Sequence, residues 1–157
     1  RLRIDSVTAS NTEDAANLIA KYVSSEPYSD REEVVDCEDS GVQLYVCTHG
    51  ERDCRCGEWG GEVADELNAE LKRRQSNDPE GVWGRYSIGE VGHVGGHKHA
   101  ANLLVFPYGD WFGGLRKQHV SSVLDAVAAR PYAATHWDAP PDLPEFWRGR
   151  MGLSKEE

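Results

Sequence analysis

With 157 residues, 39% apolar and 28% charged, the chain has the composition of one soluble globular domain and lacks a run of about 18 apolar residues to cross a bilayer. Its 17 basic and 27 acidic side chains leave a net charge of -10, which argues against nucleic acid or an anionic membrane as partner and suits a basic protein partner. No secretory leader follows Arg1, so a cytoplasmic location is expected, with the mitochondrial matrix as the alternative. A start at Arg1 rather than Met suggests the C-terminal part of a longer protein.

The first element in chain order is a helix, capped by Asn11 or Thr12, with Ala15, Leu18, Ile19, Tyr22 and Val23 at helical spacing and an end near Ser24-Ser25. Residues 26–39 follow as an acidic stretch in which Arg31 is the only cation, read as a solvated loop. Val42 to Val46 alternates as a strand and delivers Cys47 at its end. Gly60-Gly61 opens a second helix, with Val63, Leu67 and Leu71 on one stripe and Lys72, Arg73 and Arg74 in its last turn, where cations suit the helix dipole. After a turn at 76–81, Val82 to Ile88 reads as a strand running into a loop with His93 and His97. Asn102 to Phe106 is a buried strand, and Pro107 to Asp110 turns a hairpin into Trp111-Phe112. A last helix carries Val120, Val123, Leu124, Val127 and Ala128 and stops before Pro131. The tail, with Pro140, Pro141, Pro144 and Phe146-Trp147-Arg148, is expected to run extended and to pack through its aromatics.

The order strand, helix, strand, strand, strand, helix describes an α/β fold, a small mixed sheet with a right-handed crossover and flanking helices, arranged as in thioredoxin. All of 1–157 is read as a single domain: an N-terminal helix and acidic loop over 1–40, a core over 41–130 and a tail over 131–157.

The chemistry sits in two pairs of donors. Cys47 and Cys56 lie in a compact polar loop, and His93 and His97 flank Gly95-Gly96. Thiolate and imidazole together suit zinc or an iron-sulfur centre, whereas calcium and magnesium want oxygen. Eight residues separate the cysteines, wider than the roughly two to four typical of a zinc finger, so the loop can wrap a larger object. The histidines stand at helical i, i+4 spacing, but the two glycines between them argue against helix and favour a loop in which both imidazoles can aim at one centre. Phosphate-binding glycine loops and a nucleophile elbow are absent from the sequence.

The run Cys47-Thr48-His49-Gly50-Glu51-Arg52-Asp53-Cys54-Arg55-Cys56-Gly57, followed by His93-Val94-Gly95-Gly96-His97-Lys98, resembles the sucrase/ferredoxin-like family of thioredoxin-fold 2Fe-2S proteins. Ala101-Asn102, Pro107-Tyr108-Gly109-Asp110-Trp111-Phe112-Gly113 and Trp147-Arg148-Gly149-Arg150-Met151-Gly152 agree with it. The resemblance implies a thioredoxin-like ferredoxin fold and a 2Fe-2S cluster on Cys47, Cys56, His93 and His97, a bis-histidinyl centre outside the Rieske fold. By the layout of such ferredoxins, the cysteines would hold one iron and the histidines the other. Cys54 is a competing thiol, set aside because Cys56 precedes Gly57 in the family pattern.

On that reading the chain is an electron carrier rather than an enzyme, served by a protein redox partner. Two thiolates cancel the two positive charges of an oxidised cluster where four would overcompensate, so the potential should exceed the about -400 mV of plant-type ferredoxins. Each imidazole keeps an outer N–H, which implies electron transfer coupled to a proton. Thr48 and Lys98 are candidates to tune the centre, Thr48 by donating to a cluster sulfur. Arg52 and Asp53 are expected to brace the loop by an ion pair, while Cys37, His49, His99, His119 and His136 are bystanders. Two other functions stay open: a structural or regulatory zinc module on the same four ligands, and a thioredoxin-like thiol oxidoreductase. The second lacks a Cys-x-x-Cys site, for which Cys54-Arg55-Cys56 is a poor substitute.

Overall fold

The structure, a computed structural model, describes residues 12–24, 41–130 and 143–151. It divides after Cys37 into two compact units, each described by itself. Within the first unit, α1 spans Thr12–Ser24, with Glu13 and Asp14 in its first turn and Lys21 in its last, the charge order that suits the helix dipole. Ala15 of its apolar stripe is buried, while Leu18 and Ile19 are 44% and 47% exposed. The side chains of Tyr22 and Val23, the cap residue Asn11, the whole acidic stretch 26–39 with Cys37, and His136 and Trp137 lie outside the described residues.

The second unit is built on a five-stranded sheet of β1 (Val42–Cys47), β2 (Tyr86–Val91), β3 (Asn102–Phe106), β4 (Asp110–Gly113) and β5 (Trp147–Arg150), in the order β2-β1-β3-β4-β5. β1 and β2 are parallel and are connected through helix α2 (Gly61–Asn77); the other pairs are antiparallel. Alternation decides which face is buried. Val42, Leu44 and Val46 of β1 pack with Leu103 and Val105 of β3 and Phe112 of β4. Val63, Leu67 and Leu71 of α2 and Val120, Val123, Leu124 and Val127 of α3 (Val120–Ala128) complete this core. Each fully buried leucine or valine contributes roughly 1.5–3 kcal/mol, and this layer sets the ends of β1 and β2 in place.

Two segments differ from the sequence expectation. Val82–Arg85 winds as a 3₁₀ turn, and pairing with β1 starts only at Tyr86 opposite Val42. Side chains of α2 hold this turn: Arg74 lies 4.5 Å over the Trp83 ring, and Gln75 Nε2 donates to the Trp83 carbonyl at 3.0 Å. Buried Glu70 accepts from Arg73 and Arg74 at 2.6–2.7 Å and aims the second of them. Trp147–Arg150, expected as plain extended tail, is an edge strand on β4. Its anchor is the buried carboxylate of Asp110, which accepts from Arg150 Nε at 2.8 Å, from Trp147 Nε1 at 3.1 Å and from Arg130. Phe146 and Trp147 do pack against the core, as the aromatic tail suggested.

Candidate metal centre

Because β1 and β2 are parallel, the segments that leave their C-terminal ends emerge at the same edge of the sheet. Cys47 stands opposite Val91 in register, and the Thr48 N–H continues the ladder to the Val91 carbonyl at 3.3 Å. Cys47 is the last residue of β1 and fully buried. The chain then folds back: the N–H groups of Arg52 and Asp53 donate to the His49 carbonyl, and that of Cys56 donates to the Asp53 carbonyl at 3.0 Å. Cys56 opens a π-helical turn, Cys56–Gly60, that runs directly into α2. A glycine is required at its end, since a Cβ on Gly60 would stand 2.1 Å from the Cys47 carbonyl oxygen. That close approach sets the buried Cys56 against the end of β1.

The two thiols form a small apolar cluster with Ala100, against which Trp59, Val91 and Val94 pack. Arg116 stacks 3.9 Å over the Trp59 ring and donates to the Ala100 carbonyl at 2.9 Å, which ties the indole to the cysteine cluster. Burial pushes the Cys56 thiol up to about 11, and the neighbouring Cys47, by its charge and its hydrogen bond, adds to the rise. Cys56 therefore resists becoming a thiolate unless a cation compensates it, as a metal centre does.

The histidine loop closes over the same edge through Val94, the half-buried residue between His93 and Gly95 that packs on the cysteine cluster. Both imidazoles are exposed, with ring centroids 5.7 Å apart and planes inclined by 31°. Gly96 has φ +58°, the left-handed conformation that returns the chain toward β3. The loops are close enough for their charges to interact. The Arg55 guanidinium holds the Asp53 carboxyl well below the usual carboxylate range, and His97 adds to this from the opposite loop.

The other named residues are distributed as follows. Cys54 is exposed, pointing away from the pair made by its neighbour Cys56. Asp53 braces the loop by an ion pair at 2.8 Å with Arg55, not with Arg52 as expected, because Arg55 can also donate its backbone N–H to the same carboxylate. Thr48 donates its hydroxyl to Glu90 Oε2 at 2.7 Å, a partner other than sulfur, and Lys98 is exposed. Burial and the charges of Arg148 and Lys98 lower His99 from its ordinary value. His119 Nδ1 accepts from the Arg116 N–H at 3.1 Å, and its ring lies 4.5 Å from Phe146, a packing role. The buried Nδ1 of His49 has no hydrogen-bond partner among the described residues.

Among the described residues, no three His, Cys, Asp or Glu side chains converge as they would around one metal ion. The donors come instead as a buried sulfur pair and an exposed imidazole pair along one edge. By donor chemistry alone, two thiolates and two imidazoles suit an iron-sulfur centre or zinc.

Comparison with known proteins identifies the fold and the family. A thioredoxin-like [2Fe-2S] ferredoxin from Aquifex aeolicus superimposes with a TM-score of 0.55 at 12% identity, covering 73% of this chain and 96% of that one. A cysteine-to-serine variant of the same ferredoxin gives 0.51 at 13% identity, covering 69% and 99%. At such identities the likeness is one of fold: this is a thioredoxin-like ferredoxin fold. Among curated proteins, Altered inheritance of mitochondria protein 32 of Debaryomyces hansenii is 31% identical over 94 residues, 56% of this chain and 32% of that protein. Its Candida glabrata counterpart is 30% identical over 95 residues, 54% of this chain and 28% of that protein. The chain thus spans about a third of the length of these relatives. The sucrase/ferredoxin-like family model matches residues 2–149, nearly the whole sequence, and the chain belongs to that family.

Proposed function

We propose that the chain is an electron-transfer module carrying a 2Fe-2S cluster on Cys47, Cys56, His93 and His97. The observation that carries this reading is the buried contact between the Cys47 and Cys56 thiols, with the His93–His97 pair held beside it through Val94. The eight residues between Cys47 and Cys56, more than the roughly two to four of a zinc finger, favour a two-iron centre over one tetrahedral zinc. The burial of both thiols also speaks against a thiol oxidoreductase, whose attacking sulfur must be accessible.

When bound, the cluster supplies one-electron oxidation and reduction. The protein's own part divides between the loops. Cys47 and Cys56 hold the centre from the apolar side, where Trp59, Val91 and Ala100 keep water from the sulfurs. His93 and His97 are the solvent-facing ligands, so a partner reaches the centre through them, and their outer nitrogens are open to exchange a proton with water. The net charge of -10 favours a basic protein as that partner. The mitochondrial alternative is supported by the name of the curated relatives, and no helix among the described residues is long and apolar enough to cross a membrane.

Anaerobic purification with iron and sulfide counts, and with visible and EPR spectra before and after dithionite, tests the reading. Two irons and two sulfides per chain with a reducible EPR-active centre are expected; a colourless protein with one zinc per chain would replace it by the zinc module. His93→Cys and His97→Cys should each shift the spectrum toward the all-thiolate form. No change in either would move the nitrogen ligands to His49 or His99.

A further inference from the structure

The two imidazoles are exposed, so packing on the rings does not aim them; the backbone of the Gly95-Gly96 turn must. Beneath that turn lies Asn102, the first residue of β3, only 1% exposed. A buried carboxamide has to satisfy both a donor and an acceptor end, and its surroundings dictate which end faces which way. The Trp111 indole N–H can only donate, and it does so to Asn102 Oδ1 at 3.1 Å. Asn102 Nδ2 is thereby turned to the loop and donates to the Gly96 carbonyl at 3.1 Å, with a longer contact to the Gly95 carbonyl at 3.5 Å. The Gly96 carbonyl also accepts the His99 N–H at 2.7 Å. The Trp111 ring closes the arrangement from the side, for a Cβ on Gly96 would meet it at 2.7 Å.

We infer that Asn102 and Trp111 are positioning residues for the histidine ligands, fixing the Gly95-Gly96 backbone and through it the aim of His93 and His97. The inference rests on the proposed cluster. Asparagine suits the position because it is donor and acceptor at once: aspartate of the same shape keeps the bond from Trp111 but turns a carboxylate toward the two glycine carbonyls.

Two measurements on Asn102→Asp and Trp111→Phe test it. In the full chain stripped of metal, amide exchange at His99 and Ala100 should speed up roughly five- to tenfold in Asn102→Asp and less in Trp111→Phe, while amides of β1 keep their rate. Unchanged exchange at His99 and Ala100 overturns the inference. In the cluster-loaded, reduced chain, the histidine nitrogen couplings read by pulsed EPR should change in both variants. Couplings identical to the parent, with only a lowered Tm, would reduce the pair to fold support and overturn it as well. Should Asn102→Asp fail to fold, Trp111→Phe decides by the same two readouts. A parent without cluster refutes the functional reading instead, and the exchange measurement then judges the brace.

Discussion

The cysteine loop and the histidine loop meet at one sheet edge yet are built in opposite ways. Cys47 ends a central strand and Cys56 starts the helical run into α2, so both sulfurs are set by elements whose other faces form the main core. The histidine loop has a half-buried valine, two left-handed glycines and a buried asparagine to define it, and its rings stand in water. The proposed ligands on the first side are held by the fold itself; those on the second are held by a few hydrogen bonds. The proposed redox centre would benefit from the difference, since one side would exclude water from the sulfurs while the other left donors within reach of a partner.

The comparison is broken most severely at the sulfurs. Cys47→Ser and Cys56→Ser should each abolish bound iron, whereas Cys54→Ser should leave iron and sulfide counts at parent values; cluster loss in Cys54→Ser alone would reverse the ligand assignment. Glycine substitutions sharpen the contrast at lower cost. Gly60→Ala drives a Cβ into the Cys47 carbonyl, so it should lower stability by about 1–3 kcal/mol in denaturant unfolding and reduce iron content together. Gly96→Ala places a side chain at φ +58° against the Trp111 ring and should cost about 1–2 kcal/mol, changing the spectrum while the iron count holds.

The smallest effect is in acid, on helix α2 away from both loops. Arg73 and Arg74 depress the Glu70 carboxyl from its ordinary 4.5 to about 2. A carboxyl depressed on folding contributes stability that is present above 4.5 and is lost as pH falls toward about 2. Glu70→Gln should therefore flatten the loss of Tm between these values, and a parent and variant with parallel Tm profiles would remove Glu70 from the acid response.

Much of this could be read from the chain. β1, α2 and α3 carry their own periodicity and β3 is a short continuous apolar run, so local patterning and burial agree and the elements fall where the residues put them. Val82–Arg85 looked like a strand because valine and tryptophan favour sheets, but the segment is docked by Arg74 and Gln75 before it can pair. β5 has no alternation to betray it: Trp147-Arg148-Gly149-Arg150 pairs because Asp110, forty residues earlier, needs Arg150 and Trp147 as partners. The bracing of Asp53 by Arg55 rather than Arg52 turned on loop geometry that spacing does not contain.

By itself the sequence determined the donor types, the family and the order of the main elements, because thiol, imidazole and hydrophobic period are properties of residues and their spacing. Tertiary structure alone decided that Cys56 is buried against Cys47 while Cys54 faces solvent, that His93 and His97 stay exposed, and that Asn102 links Trp111 to the Gly95-Gly96 turn by hydrogen bonds. Burial and hydrogen bonding join residues distant along the chain, and only the folded arrangement brings those partners together.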